Sequence, residues 1–249
     1  MFDYTNIYPL FNAALVLYLP IVFGLKYFID NYLDSNQKHY LSESLTLPWA
    51  SWCFMLSVFS MFGTYHTGKY ILFNDSKVNL FESDVEFWYH AFIVSKLPEL
   101  LDTIFIVLRS KPLVALQWYH HWATLAICYY ASFPLCDKVI VFFFLNYFVH
   151  SFMYFYFGIY CFVKGAFLRK TFGVFVNIIQ TAQMFFAIAY GFYEYYNLET
   201  NGVYCKYIPD GYERIIAFYS AVAMYVSYFV LFVQVFYERS KRLSNLKKD

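Results

Sequence analysis

The chain has 249 residues, of which 61% are hydrophobic, 25% aromatic and only 14% charged. Soluble domains carry charge on roughly a quarter of their residues, so the composition excludes a soluble globular protein and leaves an all-α polytopic membrane protein. The formal net charge of +1 gives no reason to expect nucleic acid as a partner.

A helix needs roughly 20 apolar residues to cross a bilayer core, and seven segments meet that length, near 7–29, 47–66, 87–108, 112–134, 138–162, 172–193 and 214–236. The first is too long for the apolar region of a signal peptide and follows Met1-Phe2-Asp3, with no positive flank, so it is expected to stay in the mature chain. The five cysteines, Cys53, Cys128, Cys136, Cys161 and Cys205, have no metal-ligand spacing, and no disulfide framework is expected. Lys69, Lys77, Lys138, Lys206 and Arg214 lie on the side of the N-terminal leader. Lys26, Lys38, Arg109, Lys111, Lys164, Arg169, Lys170, Arg239, Lys241, Arg242, Lys247 and Lys248 lie on the other side. Positive residues accumulate in the cytosol, so the N-terminus is expected in the lumen, the C-terminus in the cytosol, and the cytosolic rim suits an anionic ligand.

Segment 1, with Pro9 and Pro20, reads as lipid-facing or accessory. Segment 2 offers Ser51, Ser57 and Ser60 for close helix approach and Trp49 and Trp52 for packing. Residues 68–86 form a long loop in which Asn74-Asp75-Ser76 fits a glycosylation sequon. Segment 3 places Lys96, Glu99, Asp102 and Thr103 inside an apolar span, and steps of three and four put them on one helical face. Ionisable groups at that depth are costly and ask for a reason. One reason is a self-neutralising Lys96–Glu99 pair; the third charge and Pro98 argue for a site.

Segment 4 opens with Gln117-Trp118-Tyr119-His120-His121, segment 5 aligns Asn146, His150, Met153 and Tyr154, and segment 6 aligns Asn177, Gln180 and Gln183. A single stripe of this kind is explained by interhelical hydrogen bonding, but four on consecutive helices point to a shared centre. Counted from the cytosolic ends at about 1.5 Å per residue, Glu99, His120, Gln180 and His150 lie roughly 12–18 Å deep, so the stripes can meet in one layer. Segment 7 is an aromatic wall with no charge before Glu238. Of the tail lysines, only Lys247 fits a dilysine retrieval signal.

Two chemistries suit such a layer. His120, His121 and His150 with Glu99 and Asp102 could hold a metal, as in a metal-dependent membrane lipid enzyme, although six histidines are too few for a di-iron desaturase. Alternatively, imidazole acts as nucleophile and acid–base group on a thioester, with Asn146, Gln117, Gln180 and Gln183 as neutral donors to an oxyanion. A midplane polar layer also suits a transporter.

Four ordered motifs carry a resemblance. Lys96-x-x-Glu99-x-x-Asp102-Thr103, Gln117-x-x-His120-His121, Asn146-x-x-x-His150-x-x-Met153-Tyr154 and Gln180-x-x-Gln183 resemble the signatures of the ELO family. Those are elongases of very-long-chain fatty acids, 3-oxoacyl-CoA synthases of the endoplasmic reticulum membrane. Ser57-Val-Phe-Ser-Met-Phe-Gly63 and the run 95–106 look most like the branch acting on saturated and monounsaturated long chains. The box departs from the usual pattern by beginning with Gln117 rather than His.

The resemblance implies seven helices, with helices 2 to 7 as a six-helix barrel of two three-helix units and helix 1 outside. It implies condensation of acyl-CoA with malonyl-CoA, without a cofactor or resident metal, and elongation-cycle reductases and a dehydratase as partners, with a homodimer possible. His120, His150, His121, Gln117, Lys96, Glu99, Asp102 and Asn146 would be catalytic. Met153, Tyr154, Gln180, Gln183, Arg169 and Lys170 would bind substrate, with Lys111 or Arg239 assisting at the CoA phosphates. Segment 4 continues about 21 Å beyond His120, room for roughly sixteen carbons. Tyr129, Tyr130, Phe186, Tyr190, Phe218 and Tyr219 are expected to line that path.

Overall fold

A computed structural model describes residues 7–73, 84–131, 139–163, 165, 168–201 and 212–245. The sequon at Asn74, the cysteines Cys136 and Cys205 and the terminal lysines lie outside those residues. Within them the chain is helical, with no strand. The helices in order are α1 (Tyr8–Tyr32), α2 (Ser35–Ser44), α3 (Thr46–Phe73), α4 (Glu86–Leu108), α5 (Ala115–Ala131), α6 (Ile140–Tyr160), α7 (Gly173–Asn201) and α8 (Tyr212–Asn245). A π-helical turn, Leu168–Phe172, leads into α7.

Among the described residues five spans are long and apolar enough to cross a membrane: α1, the α2–α3 run, α6, α7 and α8. The two remaining long helices each carry one of the polar stripes that the sequence singles out. α4 carries Lys96, Glu99 and Asp102, and α5 is 17 residues long and opens with the glutamine–histidine box. On α4 the charges avoid lipid by turning inward, where each is under 5% exposed.

Helix α2 stands where the sequence reading has a loop. Its start is a capping box: Asp34 Oδ1 accepts from the Gln37 backbone N–H at 2.8 Å, and Gln37 Oε1 accepts from that of Asp34 at 3.0 Å. The signal Asp-x-x-Gln was present in the sequence, but this helix is polar and exposed, so no hydrophobic period announces it. At the other end of the bundle α8 has 34 residues, about 51 Å. That exceeds a bilayer core of about 30 Å.

α3 and α6 form the tightest pair, and small residues are the cause. A Cβ at Gly63 would sit 2.6 Å from the Tyr147 ring, at Gly68 2.9 Å from Phe144, and at Gly158 2.9 Å from Phe54. Ser57 Oγ donates to the Ser151 carbonyl at 2.8 Å in the same seam. As the number rises along α3 its partner's number falls along α6, so the two run antiparallel. Further contacts run from α6 to α7, α7 to α8, α8 to α5, α5 to α4, and α4 back to α3.

α1 packs against α4 and α5. It is held by polar bonds that its sequence did not advertise. Tyr18 donates its hydroxyl proton to Thr103 Oγ1 at 2.7 Å, and Trp122 Nε1 donates to the Leu15 carbonyl at 3.0 Å. The turn from α4 to α5 closes through Ser110, at φ 53°, with Ser110 N bonded to Val107 O and Lys111 N to Ile106 O. That is the bonding of a Schellman stop, and Pro112 prevents the helix from resuming. The short connection keeps the acidic helix beside the histidine helix.

Candidate active site

The charges of α4 divide between two clusters. In the first, Lys96 Nζ lies 2.7 and 3.0 Å from the two oxygens of Glu99, and Ser95 Oγ donates to Glu99 Oε1 at 2.9 Å. The ammonium also sits 4.1 Å above the Phe92 ring and donates across to Asn146 Oδ1 at 3.1 Å. A buried ion pair is tolerated when its remaining hydrogen-bonding capacity is filled, and here α6 supplies part of the filling. Asn146 then meets His150, one turn on, with Nδ2 to Nε2 at 3.3 Å.

The second cluster centres on Asp102. Trp52 Nε1 donates to Oδ1 at 2.7 Å and the Tyr154 hydroxyl to Oδ2 at 2.6 Å, while His121 Nε2 stands 3.8 Å from Oδ2. Thus α3, α4, α5 and α6 converge on one carboxylate. Both bonds are short, so Trp52 and Tyr154 fix the orientation of the carboxyl group, which faces the second histidine of the box. Thr103, next along, turns the other way to Tyr18. Its hydroxyl therefore ties α1 to α4.

His120 stands on a cavity of about 150 Å³ that it shares with Asn146, Gln183, Thr124, Tyr228 and Phe143. Its ring lies 4.7 Å from that of Tyr228, whose hydroxyl donates to the His120 carbonyl at 3.1 Å. With that proton spent, the 2.9 Å contact between Thr124 and Tyr228 has the threonine donating. The cavity runs down to Val139 and Ala221 past Phe142 and Tyr225. From Asn146 to Val139 is seven residues, about 10 Å, half of the path that the length of segment 4 suggests.

The other residues singled out in the sequence take varied positions. Gln180 Nε2 lies 3.1 Å from the Met153 sulfur, joining α7 to α6. Gln117 is half-buried in the first turn of α5, and Lys170 is exposed in the π-helical turn. The side chains of Arg169, Arg239 and Tyr130 lie outside the described residues. Of the rings expected along the chain path, Phe186 and Tyr219 face outward at 58% and 57% exposure. Tyr129 stacks on Phe11 of α1, and Phe218 on Tyr195. The apolar stretch of α8 fixes which residues are aromatic but not which of them turn inward, and the inward ones are Tyr225 and Tyr228.

Trp52, Ser95, Thr124 and Tyr228 were missed as members of the site. For Trp52 a signal existed: a buried indole N–H needs an acceptor, and α3 has few to give. Both carboxylates of the layer accept from protein donors, and among the described residues no group of three His, Cys, Asp or Glu converges as a metal ion would require. Chemically, the layer offers one imidazole on an apolar cavity, a second bonded to an amide, a third 3.8 Å from a carboxylate, and a buried amide, Gln183, at the cavity wall.

Comparison with known proteins converges on one family. The family model ELO, GNS1/SUR4 family, matches residues 4–248. The chain is 31% identical to "Very long chain fatty acid elongase 6" of Mus musculus over 92% of its own length and 82% of that protein. It is 32% identical to the protein of the same name from Drosophila melanogaster, over 89% of this chain and 69% of that one. Against "Very long chain fatty acid elongase 4" of Trypanosoma cruzi it is 30% identical over 89% and 76%.

Proposed function

The chain belongs to the ELO family, GNS1/SUR4 family, and from that premise we propose that it condenses a long-chain acyl-CoA with malonyl-CoA. The products are 3-oxoacyl-CoA, CoA and carbon dioxide. The observation that carries the reading is His120 on a mostly apolar cavity, in the layer where the Lys96–Asn146–His150 chain and the Asp102–His121 contact meet.

In the first half-reaction an imidazole nitrogen of His120 attacks the thioester carbonyl. A C–N bond forms, the C–S bond breaks, and the imidazole proton leaves with the thiolate as CoA. The buried amide of Gln183 faces the cavity, where a donor stabilises the transient oxyanion without needing to reorient. In the second, loss of carbon dioxide from malonyl-CoA leaves its bonding electrons as an enolate, which attacks the acyl carbon; the C–N bond breaks and the departing imidazole takes up one proton from solvent, restoring neutral His120. Decarboxylation generates the carbon nucleophile, so no strong base is needed.

The ring of contacts from α3 through α6, α7, α8, α5 and α4 supports a barrel of two three-helix units with α1 outside. The lysine and arginine asymmetry supports a lumenal N-terminus and a cytosolic C-terminus in the endoplasmic reticulum membrane. In that orientation Arg169, Lys170, Lys111 and Arg239 belong to segments on the cytosolic side, the side on which the CoA phosphates would be held. The 3-oxo product requires two reductions and a dehydration to become a saturated chain, so reductases and a dehydratase are its functional partners. A homodimer is compatible with the exposed outer faces of the helices.

Labelled malonyl-CoA and acyl-CoA supplied to the purified, reconstituted protein test the reading. Release of labelled carbon dioxide with a 3-oxo product two carbons longer is expected, with no reductant present. Substrate flux across the bilayer with malonate intact would establish a transporter instead.

A further inference from the structure

The polarity of the chain from Lys96 to His150 can be read atom by atom. A lysine ammonium has three N–H donors and no acceptor. Whatever atom of Asn146 faces it must therefore accept, and the atom 3.1 Å away is Oδ1. Oδ1 and Nδ2 are the two arms of one planar amide, so with Oδ1 on the ammonium, Nδ2 is presented to His150. It lies 3.3 Å from Nε2.

An amide NH₂ only donates. Nε2 of His150 therefore accepts, and in a neutral imidazole the single proton is left on Nδ1. The opposite tautomer, or the imidazolium, would set N–H against N–H in a place where Asn146 and His150 are 9% and 7% exposed. Turning the amide over to relieve that would set its NH₂ against the ammonium. The ammonium is itself held, by the two oxygens of Glu99, on the same helix.

We infer that Lys96 is a positioning residue that acts through the Asn146 amide to hold His150 as the Nδ1–H tautomer. The tautomer rests on this geometry alone; its catalytic consequence rests on the condensing activity proposed above. That consequence is a division of labour between the two imidazoles. The basic nitrogen of His150 is committed to Asn146, so attack through Nε2 requires that bond to break first. His120 faces the cavity directly and takes the acyl group.

The test uses the full-length protein with ¹⁵N-labelled histidine in detergent micelles. Proton–nitrogen correlation through two bonds distinguishes a protonated from an unprotonated ring nitrogen. The His150 signals are identified by their loss in His150→Gln. In the wild type, Nδ1 is expected to carry the proton and Nε2 to be bare. Asn146→Asp keeps the shape and still accepts from Lys96, but presents an oxygen to Nε2, so the proton should move to Nε2.

Holding a catalytic histidine in the wrong tautomer costs about 10⁴ in kcat in a protease triad. Asn146→Asp should accordingly lower turnover by ~10²-fold or more with little change in KM for acyl-CoA. Asn146→Leu, which offers neither polarity, should give a mixture of tautomers and serves if the aspartate variant does not fold. A wild-type His150 protonated at Nε2, or an unchanged tautomer in Asn146→Asp, would overturn the inference. If the wild type releases no carbon dioxide from malonyl-CoA, the proposed activity falls while the spectrum still decides the tautomer. If it turns over and the spectrum shows Nε2–H, the inference falls alone.

Discussion

The indole of Trp52 and the carboxylate of Asp102 meet at 2.7 Å, from helices fifty positions apart in the chain. Together with the Tyr154 hydroxyl on the other oxygen, this bond makes Asp102 a fixed feature of the layer. Removing one donor from a hydrogen-bonded charge costs about 1.5–3 kcal/mol. Trp52→Phe and Tyr154→Phe should each lose that much stability in detergent unfolding, along with carbon dioxide release. In an Asp102→Asn background, the further loss of activity on removing Trp52 should be smaller. Fully additive losses would mean that Trp52 acts by packing alone.

Lys96 and Glu99 are each under 5% exposed, so breaking their pair leaves a buried charge. Lys96→Met should destabilise the protein by about 3–5 kcal/mol, whereas Lys96→Met with Glu99→Leu should recover much of that loss. Neither variant should recover turnover, because the donor to Asn146 is gone from both. A double variant with wild-type activity would show that the pair is structural only.

The α3–α6 seam predicts a contrast between glycines. Gly63→Ala puts a methyl 2.6 Å from the Tyr147 ring, and nothing lies within 4 Å of Gly24 on α1. Overpacking a closed seam costs about 1–3 kcal/mol; alanine in an open helix position gains up to about 1 kcal/mol over glycine. The midpoint of thermal unfolding should fall for Gly63→Ala and hold or rise for Gly24→Ala. Equal midpoints would mean that the seam yields.

Chain length is the fourth case. Ala221 and Phe142 line the cavity beyond His120, whereas Phe186 is exposed. Ala221→Phe should shorten the longest product by at least one cycle, and Phe142→Ala should lengthen it. Phe186→Ala should leave it unchanged. A product profile indifferent to Ala221 and Phe142 would place the acyl chain elsewhere.

The sequence by itself determined that the protein is helical and membrane-embedded. It also gave the seven long helices to within a few residues over most of their ends. Both follow from local quantities, the length of an apolar run and the energetic cost of charge in hydrocarbon. The spacing of Lys96, Glu99 and Asp102 likewise turned them into the interior, since helix period is fixed by backbone geometry. What only the tertiary structure decided was the partners. Asp102 goes to Trp52, Tyr154 and His121, Thr103 to Tyr18, and Lys96 to Asn146. One face of a helix can meet any of several neighbours, and a rotation of a few tens of degrees exchanges them. The same rotation decides which aromatic rings of α8 turn inward, because Phe218, Tyr219, Tyr225 and Tyr228 are interchangeable by composition. Packing resolves both questions at once, through the glycine seam that seats α3 on α6 and the short Ser110 turn that sets α4 beside α5.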